Sequence, residues 1–319
     1  MRAIQITAYG APVALKDIAI RLPGEGEVRV RIAACGVNFA DLLMTEGRYQ
    51  ERPPLPMTLG MELAGTVDAV GAGVERPKVG DRVAVFAASG GMAEYGCFPA
   101  QSCILLPPDM PLTDAAAFQI AYGTSHLALD HRGRLQPGET LLVLGAAGGV
   151  GLTAVEIGKR MGARVIACAR GAEKLVLARA KGADHLIDSQ SEDISQVVRD
   201  LGGADVVFDP VGGAQFKSAL RACRPEARVL TIGFASGTVP QIPANILLVK
   251  NVSVIGIYWG GYLQFAPQVL TGSLKTLFQW YEAGELRPHI SHVLPLEQAA
   301  EALDLLRRRV STGKVVLTP

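Results

Sequence analysis

The stretch LLVLGAAGGVGLTAVEIG, residues 141–158, decides the fold of one half of the chain. It places a short apolar run directly before a glycine-rich turn, and the turn opens a segment with helical spacing. Gly145, Gly148 and Gly151 carry no Cβ atom, so the backbone can turn tightly and a ligand can approach it closely. The N–H groups and the dipole at the start of the helix attract an anion. This order is typical of a dinucleotide site, although the spacing is GxxGxxG instead of GxGxxG, and close packing alone is the alternative explanation.

The second apolar run after this turn indicates which dinucleotide is bound. It begins at Val165 and ends at Arg170, and Lys174 follows one helical turn later. NAD-specific sites usually carry an acid at this end, where it binds the ribose 2′-hydroxyl. The run has no acid there, and the two cations could instead neutralise a 2′-phosphate. The sequence therefore favours NADP(H) over NAD(H), with two solvated surface cations as the alternative.

The chain around this motif divides into two regions that differ in the spacing of their apolar residues. From about residue 140 to 257, apolar runs alternate with longer amphipathic segments, which predicts βαβ units and a buried parallel sheet. Residues 1 to about 118 carry short β-type runs broken by glycine and proline, with a helix expected only over 38–46. The tail ends in a helix over 296–309 and a strand over 314–317, too short for a domain of its own. We therefore expect one domain from 1–120 and 258–319 and a second from 121–257.

Composition excludes several classes of protein. Apolar residues make up 49% of the 319 residues and charged residues 19%, which is a globular composition. Lys plus Arg (31) nearly balances Asp plus Glu (30), so nothing favours nucleic acid. The residues at 1–10 show no signal sequence, and no apolar stretch is long enough to span a bilayer. Five cysteines without CxxC spacing fit reduced thiols, so we expect a cytoplasmic protein that does not bind membranes.

Five motifs together resemble the medium-chain dehydrogenase/reductase superfamily. They are GVNFAD (36–41), GMELAG (60–65), GDRV (80–83), AAGGVG (146–151) and DPVG (209–212). The resemblance covers essentially the whole chain and is strongest to the zinc-free quinone oxidoreductases, including ζ-crystallin-like proteins. It implies an α/β protein with a GroES-like β-barrel catalytic domain, a Rossmann domain with a doubly wound parallel sheet, and a homodimer or homotetramer.

Carried over position by position, the resemblance also implies cofactor contacts. They fall on Asn38, Thr124, Ala147, Gly148, Gly149, Val150, Arg170, Lys174, Gly233, Phe234 and Arg309. One departure concerns Asp188, which stands where many relatives have a tyrosine near the ribose phosphate. An acid at this position would not favour a 2′-phosphate.

The positions of the catalytic zinc ligands are altered. In zinc-dependent relatives the ligands fall at Asn38, Met61 and near Gln119, and none of these residues is a usual zinc ligand. His289 and His292 form an HxxH pair, but strand-like surroundings should point them apart. We expect no metal, and without one the oxidation of an alcohol is disfavoured.

The remaining chemistry is hydride transfer to an acceptor that is already electrophilic. A quinone is the preferred acceptor, and an enone or enoyl thioester is the alternative. Asn38 and Tyr49 are the candidate catalytic residues because an amide and a phenol can donate hydrogen bonds to the acceptor oxygen. Helix capping by Asn38 and loop packing by Tyr49 are the alternatives. A second function class is a structural protein that holds NADPH without turnover, as ζ-crystallin-like proteins can.

Two further sets of residues are expected at the cleft, and a third set is expected to pair two copies of the chain. Tyr258 and Trp259 could form an aromatic wall, or an ordinary core or dimer contact. Glu62 and Asp41 are expected to support the cleft through hydrogen bonds. Residues 252–257 are expected to form an apolar edge strand that pairs with a second copy of the chain.

Overall fold

The computed structural model describes all residues, 1–319, and the chain divides into two compact units. The first comprises Met1–Ile120 and Pro288–Pro319, and the second comprises Ala121–Arg287. Residues 258–287 thus lie in the second unit, whereas the sequence analysis assigned them to the first. The physical reason is a buried contact within the second unit: Ser273 Oγ lies 2.8 Å from His126 Nδ1, and the Trp280 ring meets His126 edge-on at 5.1 Å.

Sixteen strands are present. They are β1 (Arg2–Ile6), β2 (Ala14–Asp17), β3 (Glu27–Val37), β4 (Met57–Thr58), β5 (Glu62–Val70), β6 (Arg82–Phe86), β7 (Tyr95–Pro99), β8 (Cys103–Leu105), β9 (Thr140–Leu144), β10 (Arg164–Ala169), β11 (His185–Asp188), β12 (Ala204–Asp209), β13 (Cys223–Thr231), β14 (Ser253–Gly256), β15 (Ile290–Pro295) and β16 (Lys314–Thr318).

Eleven α-helices accompany them. They are α1 (Phe39–Thr45), α2 (Leu112–Ala116), α3 (Gln119–His126), α4 (Gly149–Arg160), α5 (Ala172–Ala180), α6 (Ile194–Asp200), α7 (Gly213–Ala222), α8 (Ala244–Lys250), α9 (Tyr262–Phe265), α10 (Pro267–Glu282) and α11 (Ala299–Arg307). The expectation of a single helix before residue 118 was wrong, because α2 also forms there. Asp114 stands in its first turn, where a negative charge interacts favourably with the helix dipole. None of these helices has the length and the apolar character needed to cross a membrane.

The first unit is built from two sheets. One has the strand order β2-β1-β4, and the other β15-β16-β3-β5-β6-β8, with β7 also pairing with β3. Strand β3 alternates buried and exposed residues at first and is continuously buried from Ala34 to Val37, where it approaches α1. The C-terminal strand β16 pairs antiparallel with this buried end, with Val315 opposite Val37. The C-terminal strand of the chain is thus part of the main sheet of the first unit.

The second unit is built on one parallel sheet with the order β11-β10-β9-β12-β13-β14. All five strand pairs are parallel, and β9 is buried at every position. This is the doubly wound order of dinucleotide-binding sheets, whose direction reverses between β9 and β12. The predicted fold class is therefore confirmed, and ligands of such sheets bind at the carboxyl ends of the strands.

Candidate active site

The glycine turn lies at the carboxyl end of β9, on the strand where the sheet order reverses. Gly145 has φ +59°, a left-handed conformation that favours glycine. A Cβ atom on Gly151 would lie 2.2 Å from the Gly145 carbonyl oxygen, a distance that no side chain can tolerate. Helix α4 begins at Gly149 with no acidic residue in its first turn. The turn thus brings backbone close to backbone and leaves the positive end of the helix dipole without a carboxylate.

The neighbouring strand ends complete this edge of the sheet. Asp209 ends β12 and accepts the N–H groups of Val211 and Gly212 at 2.7 and 2.8 Å, while burial raises the pKa of its carboxyl group. Phe234 follows β13, is 37% exposed and lies beside Gly212. Gly233 precedes Phe234 in the same loop, and Thr124 is buried in α3 of the same unit.

Arg170 and Lys174 lie where β10 leads into α5. Arg170 is exposed and Lys174 is half-buried. Burial, and to a lesser extent the charge of Arg170, lowers the pKa of the Lys174 ammonium. Asp188 Oδ1 accepts the N–H groups of Gly171 and Gln190 at 3.1 and 3.0 Å. The carboxylate that departs from the family pattern thus binds backbone amides that tie the ends of β10 and β11.

In the first unit, the sequence GVNFAD folds into the end of β3 and the start of α1. Asn38 stands at the N-cap position of α1, and Asp41 Oδ2 accepts its backbone N–H at 2.8 Å. Asp41 Oδ1 accepts the Gly60 N–H at 3.2 Å. Asp41 is fully buried, and burial raises the pKa of its carboxyl group to about 6. The Asp41 carboxyl group thus links the start of α1 to the backbone at Gly60.

Glu62 and Lys314 add a buried ion pair next to Asn38. Lys314 Nζ lies 2.6 Å from Asn38 Oδ1 and 3.1 Å from Glu62 Oε2. Glu62 Oε1 accepts the Ile120 N–H at 2.9 Å. Sequence reasoning missed Lys314, although a lysine at the start of the otherwise apolar strand β16 is a signal that could have drawn attention to it.

Tyr49 and Arg309 also lie in the first unit. Tyr49 is half-buried and packs against the core of that unit, and Arg309 follows α11 with a left-handed φ of +57°. In the second unit, Trp259 is buried and Tyr258 is 39% exposed. A Cβ atom on Gly123 would lie 2.7 Å from Trp259 Nε1, so the indole packs on the backbone of α3.

Two of the three positions compared with zinc ligands are buried: Met61 is 2% exposed and Gln119 is 1% exposed. Gln119 Nε2 has no hydrogen-bond partner. His292 Nδ1 lies 2.9 Å from Ser291 Oγ, and His289 Nε2 lies 3.1 Å from Thr312 Oγ1. No group of three or more His, Cys, Asp or Glu side chains is arranged to hold a metal ion.

Comparison with known proteins places this geometry in a family. The alcohol dehydrogenase GroES-like domain family matches residues 24–108, and the zinc-binding dehydrogenase family matches residues 149–276. A quinone oxidoreductase-like protein 2 homolog from Nematostella vectensis is 41% identical over 99% of this chain and 88% of its own length.

Two solved structures are also similar over the full length of both chains. The Escherichia coli quinone oxidoreductase complexed with NADPH is 29% identical with a TM-score of 0.93. The Thermus thermophilus quinone oxidoreductase, solved alone and with NADPH, is 32% identical with a TM-score of 0.88. The resemblance drawn from the five motifs is confirmed. The chain belongs to the quinone oxidoreductase branch of the medium-chain dehydrogenase/reductase superfamily and is an oxidoreductase.

Proposed function

We propose that the protein is an NADPH-dependent reductase that transfers a hydride to a quinone without zinc. The observation that carries the proposal is the pair of cations, Arg170 and Lys174, in the same unit as a glycine turn whose helix has no acid in its first turn. Two cations at the carboxyl end of β10 match the charge of a ribose 2′-phosphate, where an NAD-specific site would carry an acid. The Escherichia coli and Thermus relatives were solved with NADPH, which agrees with this assignment.

The residues of the second unit fit a dinucleotide phosphate. The missing side chain at Gly151 lets the start of α4 pack closely on the Gly145 carbonyl, and the first N–H groups of α4 lack acceptors within their own helix. These amides would bind the pyrophosphate, and Arg170 and Lys174 would bind the 2′-phosphate. Ala147, Gly148, Gly149, Val150, Thr124, Gly233, Phe234, Asn38 and Arg309 are the further contacts that we propose. When bound, NADPH supplies the hydride.

The proposed role of Asn38 and Tyr49 is to hold the acceptor. A quinone is already electrophilic, so correct placement and a hydrogen bond to its oxygen supply most of the catalysis. Asn38 can donate through its amide and Tyr49 through its phenol, which can also deliver a proton. The side chains of both residues are half-buried.

A substrate panel tests the proposal directly. Oxidation of NADPH and of NADH is followed with quinones, enones and enoyl thioesters, with and without a chelator. We expect the fastest turnover with a quinone and NADPH, unchanged by chelation. Faster reduction of an enone would show that the preferred acceptor is an enone and not a quinone. Tight NADPH binding without turnover would support a structural protein. A stoichiometric zinc whose removal abolishes turnover would contradict the metal-free assignment.

Cofactor preference is tested in the same assay with variants of the two cations. Loss of a charge-assisted hydrogen bond of about 1.5–3 kcal/mol should reduce the preference for NADPH over NADH at least about tenfold in Lys174→Ala or Arg170→Ala. Lys217→Ala, on the exposed face of α7, is the matched control and should retain the preference. Equal dissociation constants for the two cofactors in the unaltered protein would contradict the assignment.

We also propose that two copies pair through β14, forming a homodimer or half of a homotetramer. This strand is the edge of the parallel sheet, and Leu248 and Val249 on the preceding helix are 78% and 75% exposed. An apolar edge of this kind is prone to pair with another strand. Val254→Pro removes a backbone donor and should weaken the dimer sharply, whereas Val254→Thr keeps the donor and should not. Light scattering that reports 33.6 kDa for the unaltered chain would overturn the proposal.

A further inference from the structure

Lys314 is the one buried cation of the Asn38 cluster. Its residue is only 5% exposed, and Glu62, its ion-pair partner at 3.1 Å, is fully buried. Lysine is rarely buried without a partner that requires its charge. The roles proposed above for Asn38 and Tyr49 make no use of this ammonium group.

The ammonium determines which way the Asn38 amide faces. The oxygen and nitrogen of an asparagine amide are usually assigned from their hydrogen-bond partners. A lysine ammonium has donors only, so the Asn38 atom 2.6 Å from Nζ must be the oxygen. Asn38 Nδ2 is thereby directed to the Gly36 carbonyl oxygen and to Glu62 Oε2, each at 3.3 Å.

The two groups of hydrogen bonds differ in strength. The contact of Asn38 Oδ1 with the ammonium is short and charge-assisted, whereas both Nδ2 contacts are longer than the usual distance of about 2.9–3.0 Å for an N–H···O bond. A cation on the amide oxygen draws electron density from the nitrogen and makes its N–H groups better donors. A bound carbonyl oxygen can therefore replace one of the long contacts while the oxygen side stays fixed.

We propose that Lys314 is a positioning residue that orients and polarises the Asn38 amide, so that Asn38 offers Nδ2 to the oxygen of the bound acceptor. The inference rests on the proposed reductase function. Glu62 holds Lys314 in place, and the Ile120 N–H holds Glu62 at 2.9 Å. A series of contacts thus connects the backbone of α3 to the Asn38 amide through the Glu62 carboxylate and the Lys314 ammonium group.

A double-mutant cycle on kcat separates this role from a purely structural one. Asn38→Ala and Lys314→Met should each lower kcat by about tenfold or more. Because Asn38 is also a proposed NADPH contact, any change in KM for NADPH should be no larger in Lys314→Met than in Asn38→Ala. If Lys314 acts through Asn38, the double variant should lose no more than Asn38→Ala alone, whereas losses that multiply would overturn the proposal. Lys314→Arg keeps the charge and should recover part of the kcat.

A second measurement does not depend on activity. The side-chain amide resonance of Asn38 is identified by its absence from the Asn38→Ala spectrum, and Lys314→Met should shift it. An unchanged resonance would overturn the proposal. If no acceptor is turned over, the proposed function fails while the resonance still decides the role of Lys314. Should Lys314→Met not fold, Glu62→Gln combined with Lys314→Met removes both charges of this pair and allows the same measurements.

Discussion

Two carboxylates, one in each unit, have nearly the same set of partners. Glu62 binds the Lys314 ammonium at 3.1 Å and accepts the Ile120 N–H at 2.9 Å. Glu156 binds the Lys181 ammonium at 2.9 Å and accepts the Arg287 N–H at 3.2 Å. Each therefore holds a residue at which the chain leaves its unit.

The two pairs differ in burial and in their third partner. The side chains of Lys314 and Glu62 are 6% and 0% exposed, and those of Lys181 and Glu156 are 16% and 13% exposed. The third partner of Glu62 is the amide of Asn38, a candidate catalytic residue, whereas that of Glu156 is the hydroxyl of Tyr122 at 2.5 Å. A glutamate–lysine pair thus contacts the Asn38 amide in one unit, and a pair of the same type contacts the Tyr122 hydroxyl in the other.

The largest difference between the two ion pairs is expected in their contribution to the stability of the protein. Lys314→Met leaves the Glu62 carboxylate buried without a counter-charge, which should lower the free energy of unfolding by about 3–5 kcal/mol. Lys181→Met, in the more hydrated pair, is the matched control and should lose about 1 kcal/mol. Urea denaturation of the cofactor-free protein, with each transition fitted separately, measures both.

The double variant Glu62→Gln with Lys314→Met sharpens the same comparison. It removes both charges, so it should recover most of the stability that Lys314→Met loses. Equal losses in Lys314→Met and Lys181→Met would show that burial does not separate the two pairs.

A smaller effect is expected in the dependence of stability on pH. Burial raises the pKa of Asp41 from 3.8 to about 6 in the folded protein. The folded state therefore holds more protons than the unfolded state between about pH 4 and pH 6, and this carboxyl group makes the protein less stable as pH rises through that window. The slope approaches about 1.4 kcal/mol per pH unit, and Asp41→Asn should remove it.

Asp188 in the second unit provides a control of opposite sign. Hydrogen bonds from the Gln190 and Gly171 N–H groups lower the pKa of its carboxyl group. Its stabilising effect is present above the unfolded pKa and is lost as pH falls through the folded pKa. Differences in unfolding free energy between each variant and the unaltered protein, measured from about pH 3 to 7, should therefore run in opposite directions for Asp41→Asn and Asp188→Asn.

The second unit was largely predictable because its elements are local. The glycine turn, the helix after it and the cations after the next strand follow one another within about thirty residues, and α4 begins at the glycine turn, as the sequence predicts. The predicted edge strand over 252–257 also forms, over Ser253–Gly256. Hydrophobic spacing carries this information because the central strands β9, β10 and β12 are buried almost throughout.

The Asn38 cluster was predictable only in part because its partners are far apart in sequence. Lys314 lies 276 residues after Asn38 and 252 residues after Glu62. A strand was expected over 314–317, but nothing local indicates that its first residue faces a buried carboxylate. The misplacement of residues 258–287 has the same origin, since the contact of Ser273 with His126 spans 147 residues.

The late position of Lys314 has a consequence for synthesis. All of the second unit, Ala121–Arg287, lies between the residues that need the cation and the cation itself. At about 5–20 residues per second, the ribosome adds Lys314 roughly a quarter of a minute to a minute after Asn38. In that interval the second unit can fold, while the first unit still lacks the cation that pairs with Glu62 and the strand β16 that pairs with β3. On the ribosome, the second unit can therefore complete its fold before the first unit does.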